Sequence, residues 1–194
     1  YPPGLSFNNN SRFVTFIDKN TLFTFIIGSN RVYYGRYLNN EWTFNPSAYS
    51  LNNNHHANIA VYNGGVIDNG NYFVGAHNSL ISLYKREVLN DPAYAPVTLV
   101  SSMTGNPSPH HIATSLNTNR FATYDPNNSN IIQVYQVTNN TISLLSSFSN
   151  NGRVNKFKTL AISGDGNTIA SSSGSNIDIY KYYYIKIYLL KALL

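Results

Sequence analysis

The feature that most restricts what this chain can fold into is a repeat of about fifty residues running its whole length. Leu22, Tyr72, Phe121 and Ile169 each open an apolar run after a turn, at spacings of 50, 49 and 48 residues. Four positions before them stand Asp18, Asp68, Asn117 and Asp165, and two before stand Asn20, Gly70, Asn119 and Asn167. An Asx side chain folds onto the backbone two residues on, and Asn or Gly tolerates the left-handed conformation of a tight hairpin. The four places are therefore expected to be equivalent turns. A second anchor, Tyr34, Tyr84, Tyr135 and Tyr180, is expected to end an alternating strand in each unit, after spacings of 50, 51 and 45 residues.

Two more strands complete each unit. Phe13–Ile17, a stretch within Ile59–Ile67, Ile112–Leu116 and Thr159–Ile162 precede the first turn, whereas Trp42–Phe44, Val97–Val100, Ile142–Leu145 and Ile185–Leu189 follow the tyrosine. Four antiparallel strands in about 49 residues is the period of a propeller blade. The predicted fold is all-β, one domain over residues 1–194, with about four four-stranded blades near 5–50, 55–104, 108–150 and 154–194. The expectation covers either a small closed ring or a fragment of a larger one, with Gly4–Asn8 then the outer strand of a missing blade. Helical periodicity is confined to a possible terminal turn over Leu189–Leu194.

Composition agrees. The chain holds 16 Tyr, 10 Phe and 30 Asn; aromatics suit strands and Asn suits turns. Only 11% of residues are charged and the net charge of +5 is scattered, which describes a solvated surface rather than a nucleic-acid footprint. Cysteine is absent, so disulfides, thiol catalysis and zinc–cysteine sites are excluded. No leader segment is visible after Tyr1-Pro2-Pro3, and Tyr182–Leu194 is too short and too charged to be read as a membrane span. Localisation stays open.

The units resemble WD40-type propeller blades. His55-His56 and His110-His111 stand near that family's Gly-His position, Asp165-Gly166 matches its turn, and a Tyr takes the place of its Trp in every unit. The family's closing Asp is replaced by Gly35, Lys85, Gln136 and Lys181. Ile162–Ile169 is also similar to integrin-like propeller repeats, but a single carboxylate does not make their calcium loop. Such resemblance implies a rigid non-catalytic scaffold whose inter-blade loops meet a protein partner.

The candidate binding residues are His55, His56, His110, His111 and Asn155, on the connections Asn53–Asn58, Asn106–His111 and Asn150–Asn155 that join one blade to the next. Strand-end capping is the plain role for the histidines; a metal held by His56 and His111 is the alternative, weakened by the lack of a neighbouring carboxylate. Asp18, Asp68 and Asp165 suggest turn formers rather than the paired acids of glycoside hydrolysis. No cofactor motif or nucleophile motif is present. The expected function is protein binding without catalysis. The alternatives are a glycosidase-like or lyase-like propeller enzyme with its site at the channel mouth, and a glycan-binding or surface or virion assembly component. Exposed blade edges would also permit self-association.

Overall fold

The structure, a computed structural model, describes residues 11–18, 21–26, 31–38, 40–44, 49–50, 63–77, 80–86, 97–104, 111–124, 131–149, 159–173, 176–183 and 186–191; their side chains are described chiefly within 64–75, 80–86, 98–104, 112–124, 131–149, 159–172 and 177–182. Its strands fall into four antiparallel sheets in chain order. Sheet one holds β1 (Ser11–Asp18), β2 (Thr21–Ile26), β3 (Arg31–Leu38) and β4 (Glu41–Phe44), with the short β5 (Tyr49–Ser50) also on β3. Sheet two holds β6 (Asn63–Ile67), β7 (Tyr72–His77), β8 (Leu80–Arg86) and β9 (Val97–Thr104). Sheet three holds β10 (His111–Thr114), β11 (Arg120–Tyr124), β12 (Ile131–Thr138) and β13 (Thr141–Ser149). Sheet four holds β14 (Leu160–Ile162), β15 (Thr168–Ser173), β16 (Asn176–Tyr183) and β17 (Lys186–Lys191).

Each sheet is a simple meander, and the first strands stack side by side: β1 on β6, β6 on β10 and β10 on β14. The approach of β6 to β10 is close enough that a Cβ on Gly65 would lie 2.2 Å from Thr114 Oγ1. Only glycine fits there. Among the described residues the one helical element is a 3-10 turn at Asp68–Gly70, and no helix is long and apolar enough to cross a membrane.

The core lies between sheets. Val74, Ile81 and Leu83 of sheet two pack against Ile112, Phe121, Tyr135 and Val137 of sheet three. The opposite face of sheet three, Ala122, Tyr124, Ile132 and Val134, meets Ile169 and Tyr180 of sheet four. Within sheets, Phe73 is the register partner of Tyr84 and Phe121 that of Tyr135, with ring centroids 5.8 and 5.0 Å apart. In sheet four Ile169 replaces the Phe opposite Tyr180, and Phe148 of β13 supplies the ring instead, at 4.6 Å. Such ring pairs contribute about 0.5–1.5 kcal/mol beyond their burial.

Three expectations need correction. The repeat tyrosines do not end their strands: β3 runs to Leu38, β8 to Arg86, β12 to Thr138 and β16 to Tyr183. In sheet three the extra length carries the ladder to a tight Asn139-Asn140 turn, both residues having positive φ (50° and 63°), the pairing a two-residue hairpin demands. A bulge sits at the tyrosine in sheets two and three, where the register slips between Leu83 and Tyr84 and between Val134 and Tyr135. Second, Leu189 to Lys191 belong to β17 and are extended, because Asp178, Ile179 and Tyr180 take them as ladder partners. No helical turn forms over them. Third, the four turns are not equivalent. In register, Phe23, Phe73, Phe121 and Ile169 oppose the four tyrosines, so the anchors Leu22 and Tyr72 lie one residue early.

Candidate functional site

Antiparallel meanders put all first-to-second-strand turns at one end of the sheets and all blade-to-blade connections at the other. The first end is tied together. Its turns are residues 68–71, 116–119 and 164–167; the latter two are closed by Ser115 N–H to Arg120 O (3.0 Å) and Ser163 N–H to Thr168 O (2.8 Å). Asp68 is the first residue of its turn, whereas Asn117 and Asp165 are second in theirs, and the conformations differ accordingly. Asp68 and Asn69 take positive φ (51° and 53°), while in the last turn Gly166 does so (68°). The Asp165 carboxylate accepts hydrogen bonds from Ser163 Oγ, from Asn167 N–H (3.0 Å) and from Asn167 Nδ2 (3.2 Å). The Ser163 hydroxyl first, and the Asn167 backbone N–H next, hold its pKa below the ordinary carboxylate value. Asp165 is a turn former, and its acceptor capacity is spent on its own loop.

These turns also bond to one another. Asp68 N–H and Asn69 N–H donate to Thr118 O (2.8 Å) and Leu116 O (2.6 Å), joining sheets two and three. Thr118 Oγ1 donates to Ser115 Oγ (2.8 Å), which donates to Gly164 O (2.7 Å), joining sheets three and four. Arg120 Nη1 reaches Asn167 Oδ1 (2.7 Å), and its guanidinium lies 5.1 Å from the centroid of the Tyr182 ring. Tyr72 Oη donates to Asn140 Oδ1 (2.9 Å) across sheets two and three. With backbone groups satisfied in this way, the end is a fixed rim rather than an open set of donors.

Of the residues singled out by sequence, only His111 is placed at the other end. His55, His56, His110 and Asn155 lie outside the described residues. His111 opens β10 as the register partner of Tyr124, the last residue of β11, which puts it at that end. Asp18 ends β1 at the opposite, tied end. Among the described residues no group of three or more His, Cys, Asp and Glu side chains converges as metal ligands would.

A buried polar group was missed by the sequence reading. Asp178 is 6% exposed, and its Oδ2 has no hydrogen-bond partner among the described residues. It lies two residues before Tyr180 on β16, hence on the same face, between sheets three and four. Burial first, then the negative charge of Asp178 and then Tyr124, push the Tyr180 phenol up to about 12. Burial raises Tyr84 and Tyr135 as well. The signal was present in Ile177-Asp178-Ile179-Tyr180: once Tyr180 is assigned to the core, a period of two assigns Asp178 there too.

No protein-family model and no curated protein matches the sequence. Solved structures do match its fold. The WD40 repeats of RRP9 superpose with a TM-score of 0.67 at 10% identity, covering 96% of this chain and 52% of that one. The β-propeller domain of Cps50 (Swd1) from Myceliophteria thermophila gives 0.67 at 9% identity, covering 96% and 61%. A candidate 6-phosphogluconolactonase from Bacteroides uniformis gives 0.64 at 13% identity, covering 93% and 53%. The class is therefore a β-propeller with WD40-like four-stranded blades. The chain spans about half the length of the solved structures it matches.

Proposed function

We propose that the chain is a rigid binding module that meets a protein partner with the connections between blades, at the end where His55, His56, His110, His111 and Asn155 stand. One observation carries this reading: in sheets two to four the turns at one end are bonded to one another. Short turns bonded to each other close one end, whereas the connections at the other span 51–62, 105–110 and 150–159 between regular strands. Long connections on a stiff scaffold are where recognition residues collect. Histidine side chains can both donate and accept hydrogen bonds. The solved WD40 propellers support the scaffold half of the reading through the shared fold.

Cross-linking mass spectrometry on complexes recovered with the tagged chain tests it. Cross-links and exchange protection are expected on peptides covering 51–62, 105–111 and 150–159, and replacing the four histidines by alanine should weaken capture at least tenfold. Protection concentrated on 116–119 and 164–167 would reverse the assignment of the binding end.

A second reading, catalysis, draws on Asp178, a buried carboxylate one of whose oxygens has no hydrogen-bond partner among the described residues. Some structures of the same fold are candidate lactonases. Hydrolysis of a sugar lactone by the purified chain, abolished by Asp178→Asn, would favour it; turnover equal to the blank would end it.

A further inference from the structure

The far face of sheet four repeats, position for position, a surface that the two preceding sheets bury completely. One residue after the second-strand anchor, and three and one before the tyrosine, sheet two has Val74, Ile81 and Leu83, each 0% exposed. Sheet three has Ala122, Ile132 and Val134 at 0%, 0% and 1%. Sheet four has Ala170, Ile177 and Ile179 at those positions, but Ile177 is 41% exposed and the other two are only partly buried. The chemistry of the three faces is the same. Among the described residues only the cover is missing.

What covers such a face is visible twice. Phe121 and Tyr135, register partners on the second and third strands of sheet three, cover the face of sheet two. Ile169 and Tyr180, register partners in sheet four, cover the face of sheet three. One further pair in this chain occupies the same register positions: Phe23 on β2 opposite Tyr34 on β3. A matching surface and a matching cover thus stand on the fourth and first sheets of one chain. Contacts of this head-to-tail kind join different patches, and they close into a ring when the rotation permits. Two copies would bring together eight blades, within the range of about 4 to 8 found in closed propellers.

We propose that the Ala170–Ile177–Ile179 face is an interface for the first sheet of a second copy of this chain, so that two chains complete one ring. The interface would resemble a blade-to-blade core, with apolar burial as its driving force.

The chain has no cysteine, so single cysteines report the contact cleanly. Ile177→Cys and Tyr34→Cys proteins, mixed under mild oxidation, are expected to form a disulfide-linked heterodimer, while each alone stays mostly uncross-linked. Sedimentation of the unmodified 194-residue chain should give twice the chain mass. Ile177→Lys should shift it to the monomer without changing the β-strand circular dichroism, since the side chain already meets solvent. Three results would overturn the proposal: a monomer for the unmodified chain at tens of micromolar, a dimer that Ile177→Lys leaves intact, or preferential Ile177→Cys homodimers. The last would mean like faces meeting each other; all of these readouts are chain mass and cross-links between two copies, not capture of a different protein.

Discussion

Sheets three and four are built from the same repeat but live in different surroundings. Along β11, Phe121, Ala122, Thr123 and Tyr124 are all buried, because a neighbouring sheet covers each face. Along β15, Ile169 and Ser171 are buried while Thr168, Ala170 and Ser172 are partly open, the alternation of a strand covered on one side. The comparison teaches that each blade has a face that covers and a face that is covered. Cutting large residues on the two sheets is the sharpest way to test it. Phe121→Ala removes a stacked, fully buried ring and is expected to cost about 3–5 kcal/mol. Ile177→Ala, in protein dilute enough to be monomeric, should cost under about 1 kcal/mol. Urea titrations of both variants give the contrast directly, and equal losses would break it.

The next effect tests the rim that locks the two sheets together. Gly166 has φ +68°, and a Cβ there would approach Thr118 Oγ1 to 2.7 Å and Arg120 Cδ to 3.0 Å. Gly166→Ala should therefore destabilise by roughly 1–3 kcal/mol, part from the left-handed backbone and part from displaced neighbours. Thermal unfolding reads the loss. Asn at this position tolerates positive φ better than Ala, so Gly166→Asn separates strain from crowding: recovery indicts the backbone, and no recovery indicts Thr118 and Arg120.

Much of this scaffold could be read in the sequence, because alternation and Asx-rich turns act locally. Four strands per unit, the tyrosine ladder and the turn role of Asp165 all follow from neighbours a few residues apart. The one-residue offset of Asp68 against Asp165 did not follow, since both stand four residues before an apolar anchor and the difference lies in register and in which residues take positive φ. The bonds between turns of different sheets are long-range and leave no local mark. The exposure of Ile177 was hidden for another reason: Ala170, Ile177 and Ile179 are of the same type as residues that are covered elsewhere. A sequence records that a face needs cover, not what supplies it. The histidine-bearing connections have no periodicity from which a geometry could be built.

A titration probes the interior between the same two sheets. The Tyr180 phenol is raised to about 12 from a model-peptide value near 10. Its neutral form is the one the fold favours, so its contribution is complete below pH 10. As pH rises from 10 to 12 the unfolded chain loses that proton first, and stability falls by about 1–2 kcal/mol, allowing for solvent screening. Tyr84 and Tyr135, also raised by burial, add to the fall. Denaturation midpoints across this range, compared with Tyr180→Phe, isolate its share; parallel curves would mean that Tyr180 ionises as freely as an exposed tyrosine.

The smallest effect concerns the residue two before each tyrosine, where the repeat holds Ser82, Gln133 and Asp178. Gln133 Oε1 accepts from Tyr135 Oη at 3.0 Å, a neutral pair that suits a covered position. Asp178 puts a carboxylate in the same place, 6% exposed, with Oδ2 lacking a partner among the described residues. A buried charge without full compensation is a cost to the fold, and Asn keeps its volume while removing the charge. Asp178→Asn is therefore expected to leave stability at pH 7 unchanged or raise it by up to about 1 kcal/mol. It should also move the Tyr180 titration down toward the ordinary value, because the second cause of that shift is gone. Ultraviolet titration of the phenols measures the second effect independently of the first. A loss of several kcal/mol would instead show that the fold depends on the Asp178 charge, and sheet four would then differ from sheet three in its interior as well as in its cover.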